Sequence, residues 1–176
     1  MRRLATHRLR GTALAAMVVV AFLVVGAVPA LAFDRQANET TMLRLINKAR
    51  TSRGLHAVRV VTTLDRAALR HSRDMLQRDY FAHSSLSGAT VATRARASGY
   101  SVSGCTRWTV GEVIAWGTSS RGTPRAIFKA WMHSRSHRTI ILSKNWRDVG
   151  IGCSRGEFRG LSGAIMYTVD FGRRVR

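Results

Sequence analysis

The chain has 176 residues, 45% of them hydrophobic, and a formal net charge of +20 at neutral pH. Its length fits one domain with a hydrophobic core of ordinary size. With only two prolines and no internal repeat, low-complexity stretch or Ser-rich linker, it is neither a repeat array nor a string of linked modules.

The charge favours an anionic partner, because 29 Lys and Arg face only nine Asp and Glu. Wall polymers, acidic phospholipid and nucleic acid are the candidate partners. The basic residues are scattered and not gathered around aromatic residues, as a nucleic-acid platform would require. We therefore expect adhesion to an anionic cell envelope or lipid and no nucleic-acid partner. A solvated surface that reflects an Arg-rich genome is the alternative.

Residues 1–32 have the pattern of a secretory signal. A short opening with four arginines precedes an apolar run, which ends in Ala-Leu-Ala at Ala32. This order predicts export with cleavage after Ala32. It also predicts a secreted or cell-wall-associated monomer, formed by residues 33–176 as one domain without a stable membrane span. An uncleaved membrane anchor is the alternative, although the apolar run is short for a bilayer.

Helical spacing dominates the next hundred residues. A first helix is predicted over residues 38–53, with Asn38 as N-cap and Gly54 as its stop. VRVVTT, at 58–63, is typical of a strand or an extended link. A second helix is predicted to begin after Thr63 as N-cap, and a short third helix to end at Gly99. One face of the second helix is apolar except for one histidine: Leu64, Ala67, Ala68, His71 and Met75.

The remainder is richer in strands. YSVSG (100–104) and VGEVIAWG (110–117) are predicted strands, and DVGIGCS (148–154) with GAIMYTVDFG (163–172) is a predicted hairpin. Between them, Thr123 followed by proline predicts the start of a fourth helix. Its predicted inner face consists of Ala126, Ile127, Ala130, Trp131 and Ser134. Helices first and strands later indicate an α+β fold, with helices packed on a small, mostly antiparallel sheet.

Cys105 and Cys153 are the only cysteines. An even count in an exported chain predicts one disulfide bond between them. That bond would close a loop of roughly 50 residues and stabilise the fold by about 3–4 kcal/mol. No CxxC motif is present, which argues against a redox or zinc-finger role.

Histidines and one glutamate are the candidate functional residues. His83 follows Tyr-Phe-Ala, and histidine is the usual proton carrier or metal ligand near neutral pH. Glu112 interrupts an apolar strand, so a partner is expected for it, which could be simply an arginine. His71 is interpreted as a core histidine bonded to a carbonyl, and His133 as solvated. HSRSH, ending at His137, matches the zinc-protease HExxH motif only in spacing.

An ordered set of short motifs carries a family resemblance. GLHAV, HSRDM, YFAHSS, GEVIAWG, WMHSRSHRTIIL, VGIG and YTVDFG occur in the order seen in bacterial SCP/CAP domains. The chain thus resembles, over about residues 40–172, the superfamily of cysteine-rich secretory proteins, antigen 5 and plant pathogenesis-related proteins. The resemblance implies a three-layer α-β-α sandwich with a cleft.

The resemblance also implies the cleft residues. His83, Glu112 and His137 match the family's positions, whereas Ser134 stands where eukaryotic members carry a second glutamate. Two imidazoles and a carboxylate could hold zinc or another divalent cation. Without metal, the carboxylate would raise the pKa of the neighbouring histidine. Val113 and Val169 replace the family's usual polar residues, and the position of Cys153 supports the predicted disulfide.

Three functions are consistent with these residues. We favour a non-enzymatic extracellular binding domain for lipid, wall or small ligand, because no nucleophile–base pair is evident. The alternative is a hydrolase: either Glu112 activates water on a metal ion, or Ser84 or Ser85 acts beside His83. A structural wall protein with a vestigial cleft is the third.

Overall fold

The computed structural model describes residues 33–100 and 104–175. The predicted signal sequence and most of the strand predicted at 100–104 lie outside these residues. Phe33–Arg176 forms one compact unit. Its helices are α1 (Arg35–Thr51), α2 (Thr62–Gln77), α3 (Val91–Ala97), α4 (Pro124–His133) and α5 (Arg135–Ile141), with a 3-10 turn at Ser119–Gly122. Its strands are β1 (Arg59–Val60), β2 (Arg107–Gly117), β3 (Asp148–Phe158) and β4 (Leu161–Val175).

The four strands form one sheet in the order β1-β3-β4-β2. β3 and β4 form the predicted hairpin, β2 pairs antiparallel with β4, and the two-residue β1 alone runs parallel, to β3. The expectation of a small, mostly antiparallel sheet is confirmed. β2 lies at one edge of the sheet, so side chains from both helical layers can reach around it.

Alternation along β4 explains the layers, because successive side chains of a strand point to opposite faces. Tyr167, Val169 and Phe171 belong to the core that contains residues of α1, α4 and α5. Met166, on the other face, packs with Met75 of α2. α3 lies beside α2 on that second face, since its Ala95 packs with Leu64 and Tyr100. The predicted three-layer α-β-α sandwich is therefore confirmed.

Two predicted helix starts are wrong. α1 begins a turn earlier than predicted, because Asp34 and not Asn38 is the N-cap; its carboxylate accepts a hydrogen bond from the Ala37 N–H at 3.0 Å. α2 is capped by Val61 and not by Thr63. The Val61 N–H still donates to the Val149 carbonyl at 2.9 Å, so the helix begins where the β1 pairing ends.

Other boundary predictions are confirmed. Gly54, with φ +70°, follows α1 in the left-handed conformation that helix C-termini favour. Thr123 caps α4, accepting a hydrogen bond from the Ala126 N–H at 3.3 Å. α4 stops at His133, however, because Ser134 adopts an extended ψ of 122°. His133 and His137 therefore lie on different helices. On the predicted inner face, Ile127 and Trp131 are buried, whereas Ala130 is exposed.

Glycines let α2 lie directly against β3. A Cβ on Gly150 would approach the carbonyl carbon of Leu64 to 2.1 Å, and one on Gly152 would approach the amide nitrogen of Leu69 to 2.1 Å. Both contacts are with helix backbone, which cannot rotate away. The Val-Gly-Ile-Gly motif is thus a packing surface for α2.

The predicted disulfide is wrong, since no bond joins Cys105 and Cys153. Cys153 pairs with Tyr167 on β4, and Tyr167 pairs with Ala115 on β2. Cys105 precedes Ala115 by ten residues, so it lies about 30 Å along the sheet at about 3.3 Å per residue. A disulfide needs Cα atoms within about 7 Å. An even number of cysteines does not indicate how far apart Cys105 and Cys153 lie in the folded chain.

Cys153 should be inert in the folded protein. It is fully buried, and this burial raises the pKa of its thiol to about 12. In a Cys105→Ser variant, we expect a thiol reagent to modify Cys153 only after denaturant unfolds the chain. Mass spectrometry after a short pulse of reagent measures this directly. Rapid modification under native conditions would contradict the buried position of β3.

In the part of the chain that the structure describes, every helix is too short or too polar to cross a bilayer.

Candidate functional site

Glu112 is the centre of a buried polar cluster. Its side chain is only 2% exposed on β2. One carboxylate oxygen accepts from Arg94 Nη2 at 2.5 Å, and the other accepts from His83 Nδ1 at 2.8 Å. His71 Nε2 lies 3.9 Å from the first oxygen. Glu112 therefore joins α2, α3 and the segment after α2 to the edge strand.

Arg94 fixes the position of His83. It extends from α3 and donates from Nη1 to the carbonyls of His83, at 2.9 Å, and Ala89, at 2.8 Å. One guanidinium thus binds both the Glu112 carboxylate and the backbone of the histidine that Glu112 binds. An arginine is one of the partners predicted for Glu112. Which arginine was not predictable, because the contact joins residues 18 positions apart.

The charges of this cluster follow from burial and contact. Burial raises the pKa of Glu112, but the hydrogen bond from His83 and the Arg94 charge outweigh it, so the pKa lies below its ordinary value. The bond to Glu112 raises the pKa of His83. His71 behaves oppositely, because burial lowers its pKa. Its Nε2 donates to the Ala82 carbonyl at 3.0 Å, which confirms the core histidine bonded to a carbonyl.

Asp170 is a second carboxyl beside Glu112 that was not predicted from the sequence. It lies on β4 directly opposite Glu112 and is fully buried. Burial, and then the neighbouring Glu112 charge, raise its pKa well above the ordinary value. Burial thus favours the neutral form of Asp170, whereas the contacts of Glu112 favour its charged form. The Asp170–Glu112 pair depends on strand register, which no local motif specifies.

His83 and His137 line one pocket of about 390 Å³ at the edge of β2. His83 reaches the pocket from the α2 side and His137 from α5. Trp131 of α4 anchors the far wall, donating from Nε1 to the Ile114 carbonyl at 3.1 Å. Glu112 lies behind His83 and does not itself line the pocket. The rest of the lining is Phe81, Ala82, Ile114, Ala115, Trp116, Ala130, Trp131 and Ser134.

His137 is held differently from His83. Its Nδ1 lies 2.7 Å from the Oγ of Ser134, the residue between α4 and α5. Burial, and then the charge of His83, lower the pKa of His137. The two imidazoles of the pocket are therefore unlike, His83 favouring the cation and His137 the neutral ring. His133 is exposed, and its Nδ1 donates to the Lys129 carbonyl at 2.7 Å.

The residues do not fit a zinc site in this arrangement. Across residues 33–100 and 104–175, no group of three or more His, Cys, Asp or Glu is placed to hold a metal ion. The reason is visible at Glu112, whose two oxygens already bind Arg94 and His83. Zinc binding by His83, Glu112 and His137 stays a prediction that this geometry does not support.

Val113 and Val169, the two residues that differ from the family pattern near the cleft, contribute to the protein interior and not to the pocket lining. Val113 is fully buried in the core on the face of the sheet that α1 and α4 cover. Thr168, beside Val169, is buried on the other face, where its hydroxyl is hydrogen-bonded to Ser72 Oγ at 2.9 Å. Neither Val113 nor Val169 lines the pocket. The expectation that these replacements strip polar groups from the cleft is not supported.

The imidazoles should titrate separately. We expect the pKa of His83 above 6.5 and those of His71 and His137 below it, as read from imidazole NMR shifts. The His83 contribution to stability is then complete below pH 6.5 and is lost as pH rises through the folded pKa. Glu112→Gln should return the His83 pKa toward 6.5. A His83 pKa below 6.5 in the unmodified chain would contradict the bond to Glu112.

The comparison with protein families agrees with the geometry. The model of the cysteine-rich secretory protein family, CAP, matches residues 43–171. The chain belongs to the CAP family. Among curated proteins, this CAP domain is 34% identical over 116 residues to the uncharacterized protein YkwD of Bacillus subtilis. That match covers 66% of this chain but only 42% of the Bacillus protein, so the chain spans less than half of its relative.

Solved CAP structures share the fold. An outer surface protein of Borrelia burgdorferi superposes with a TM-score of 0.65 at 20% identity, covering 81% of this chain and 96% of that one. An extracellular SCP-domain protein of Bacillus anthracis superposes with a TM-score of 0.63 at 24% identity, covering 79% of this chain and 41% of that one. At these identities the likeness establishes the fold of the CAP domain alone.

Proposed function

We propose that this CAP domain is an extracellular, non-enzymatic binding protein that takes an amphiphilic ligand with an anionic head in the pocket at the edge of β2. The observation that carries the proposal is the pocket lining, in which His83 and His137 are the two imidazoles of an otherwise largely apolar wall. The export pattern of residues 1–32 supports the extracellular location. So do the related proteins described as outer surface and extracellular.

The pocket has the size and chemistry of a small-molecule site. Its volume of about 390 Å³ lies within the common range for ligand pockets, roughly 300–1,000 Å³. Phe81, Trp116 and Trp131 offer apolar contact for a hydrocarbon chain. The polar side chains of the lining are few, His83, Ser134 and His137, and such groups commonly orient a ligand.

The charges around His83 indicate the kind of head group that the ligand carries. Arg94 is cationic and Glu112 anionic, so the two compensate each other. The bond to Glu112 raises the pKa of His83 and so favours its cationic form, whereas burial lowers the pKa of His71. The site therefore favours an excess positive charge at His83. A carboxylate or another anionic head beside His83 would balance that charge. His137, whose lowered pKa favours the neutral ring, would supply a hydrogen-bonding group in the same pocket.

A pocket-filling substitution tests the proposal. Ala130 is exposed on α4 and lines the pocket, so Ala130→Met should occupy the ligand's volume without changing charge. Ala37, exposed on α1 and remote in sequence from the pocket residues, provides the matched control as Ala37→Met. With a fluorescent fatty acid as probe, we expect Ala130→Met to weaken binding by roughly tenfold, about 1.4 kcal/mol. Equal affinity in both variants, or no binding to the unmodified chain, would overturn the proposal.

Hydrolysis is the second candidate function, favoured by the 2.7 Å contact between Ser134 Oγ and His137 Nδ1 inside the pocket. A serine–histidine pair usually needs a third group that orients the imidazole. Glu112, the charged carboxylate of the site, is bound to His83 instead. Turnover of casein or peptidoglycan that Ser134→Ala abolishes would establish the hydrolase in place of the binding protein. Turnover that a chelator abolishes would restore the metal-assisted version.

A further inference from the structure

A larger cavity, of about 740 Å³, lies where β2 begins and β4 ends. It shares no lining residue with the histidine pocket. Its distinguishing feature is charge, because four cationic side chains line it and, among the residues that the structure describes, no carboxylate does. We call it the basic cavity. Its cationic lining residues are Arg107, Lys144, Arg147 and Arg173.

The fold brings these cations together from three segments. Thr109 of β2 pairs with Arg173 of β4, and Arg107 lies two residues earlier on β2, hence on the same face of the sheet. Lys144 and Arg147 come from the segment after α5. Backbone carbonyls position two of the guanidinium groups. Arg147 Nη1 donates to the Lys144 and Trp146 carbonyls, both at 2.8 Å, and Arg173 Nη1 donates to the Asn145 carbonyl at 3.4 Å.

The protein does not neutralise this charge locally. Asp148, next in sequence to Arg147, is bound on the other face of the sheet by Arg59, Arg174 and Tyr100. Like charges held together destabilise the fold unless something compensates them. If these residues only reflected an Arg-rich genome, they would be expected to lie scattered over the surface. Their convergence on one concave cavity instead indicates an anionic ligand.

A buried arginine beneath the wall of the basic cavity adds to its positive electrostatic potential. Arg50 of α1 is fully buried and donates to four carbonyls, those of His56, Ile141, Ser143 and Trp146. Within the described residues no carboxylate pairs with it. Burial, and then the charge of Arg147, lower the pKa of Arg50. His56 and Arg147 both line the basic cavity, so this cation lies directly beneath its wall.

We propose that the basic cavity binds an extended polymer that carries repeated phosphate groups. A tetrahedral phosphate can accept hydrogen bonds from several directions, which suits cations arriving from β2, β4 and the segment after α5. The cavity has nearly twice the volume of the histidine pocket, which gives room for more than one repeat. The proposal is independent of the ligand in the histidine pocket.

The cavity suits a polymer better than a bilayer. A polymer chain can enter a concave site, whereas a membrane surface contacts convex ones. Membrane-bound proteins also usually combine basic residues with exposed apolar side chains that insert between lipids. The large exposed apolar residues of the described chain do not line this cavity. They are Val60, Phe81, Leu86 and Leu161.

A pair of triple variants tests the site against diffuse charge. The cavity variant is Arg107→Gln/Lys144→Gln/Arg173→Gln. The control is Arg44→Gln/Arg125→Gln/Lys129→Gln. It also removes two arginines and one lysine, but from exposed positions on α1 and α4. The probe is inorganic polyphosphate, measured by calorimetry in about 0.15 M salt. We expect the cavity variant to lose at least about tenfold in affinity and the control less than about threefold.

Additional variants and a second probe distinguish this site from diffuse charge and from membrane binding. Equal losses in both variants, or no polyphosphate binding by the unmodified chain, would overturn the proposal. Binding to phosphatidylglycerol vesicles without binding to polyphosphate would overturn the polymer assignment in favour of a membrane. Arg107→Gln alone, at an exposed position, should lower affinity severalfold if the triple variant does not fold. Ala130→Met should leave polyphosphate affinity unchanged, which separates this site from the histidine pocket.

Discussion

Gly152→Ala should cost at least about 3 kcal/mol of unfolding free energy, a large part of the roughly 5–15 kcal/mol available to a domain. The new methyl would lie 2.1 Å from the amide nitrogen of Leu69 and 2.4 Å from its Cα. Because both are backbone atoms of α2, the helix would have to move away from β3. That movement would also open the contact of Ser72, whose hydroxyl donates to the Gly152 carbonyl at 2.9 Å.

Gly156→Ala is the matched control on the same strand. Its added methyl would meet the side chain of Leu76 at 3.5 Å, an ordinary van der Waals contact. We expect it to change the free energy of unfolding by less than about 1 kcal/mol. Urea unfolding followed by circular dichroism measures both variants. Similar midpoints for the two variants would contradict the packing of α2 on β3.

Glu112→Gln should destabilise the fold by about 3–5 kcal/mol, the usual cost of removing one member of a buried ion pair. Arg94 is 9% exposed and would keep its charge without a carboxylate, while His83 would lose its acceptor. Because Arg94 also holds the His83 backbone, the loss should loosen that side of the pocket. Urea unfolding at pH 7 gives the change in free energy.

Asp170→Asn provides the comparison for Glu112→Gln. The pKa of Asp170, opposite Glu112, is raised well above its ordinary value, so the neutral form is favoured and the amide resembles it. We expect a smaller cost, under about 2 kcal/mol. A larger cost for Asp170→Asn than for Glu112→Gln would mean that Asp170 carries the negative charge of the cluster.

Helix boundaries that depend on residues a few positions apart could be predicted from the sequence. The Thr123-Pro124 start of α4 and the glycine after α1 were predicted correctly, because caps and left-handed turns involve residues a few positions apart. The start of α1 was wrong, since Asp34 and Asn38 are both good caps and the sequence does not choose between them. The disulfide was wrong because compartment and cysteine count do not measure distance along a sheet.

The site was predictable only in part. The family motifs placed His83, Glu112 and His137 in one cleft, and His83 and His137 do line the same pocket. The motifs did not predict that Arg94 would complete the cluster or that Asp170 would lie opposite Glu112. Both contacts join distant residues through helix packing and strand register, which are tertiary properties. The basic cavity was missed for the same reason, because its cations looked scattered along the chain.

The most direct test of the proposed binding site is imidazole NMR of the chain with and without palmitate. If His83 and His137 face one ligand, their ring signals should shift together at one saturation point. The signals of the exposed His56 and His133 should stay in place. Shifts of His83 without His137, or equal shifts of all four rings, would contradict a shared pocket at the edge of β2.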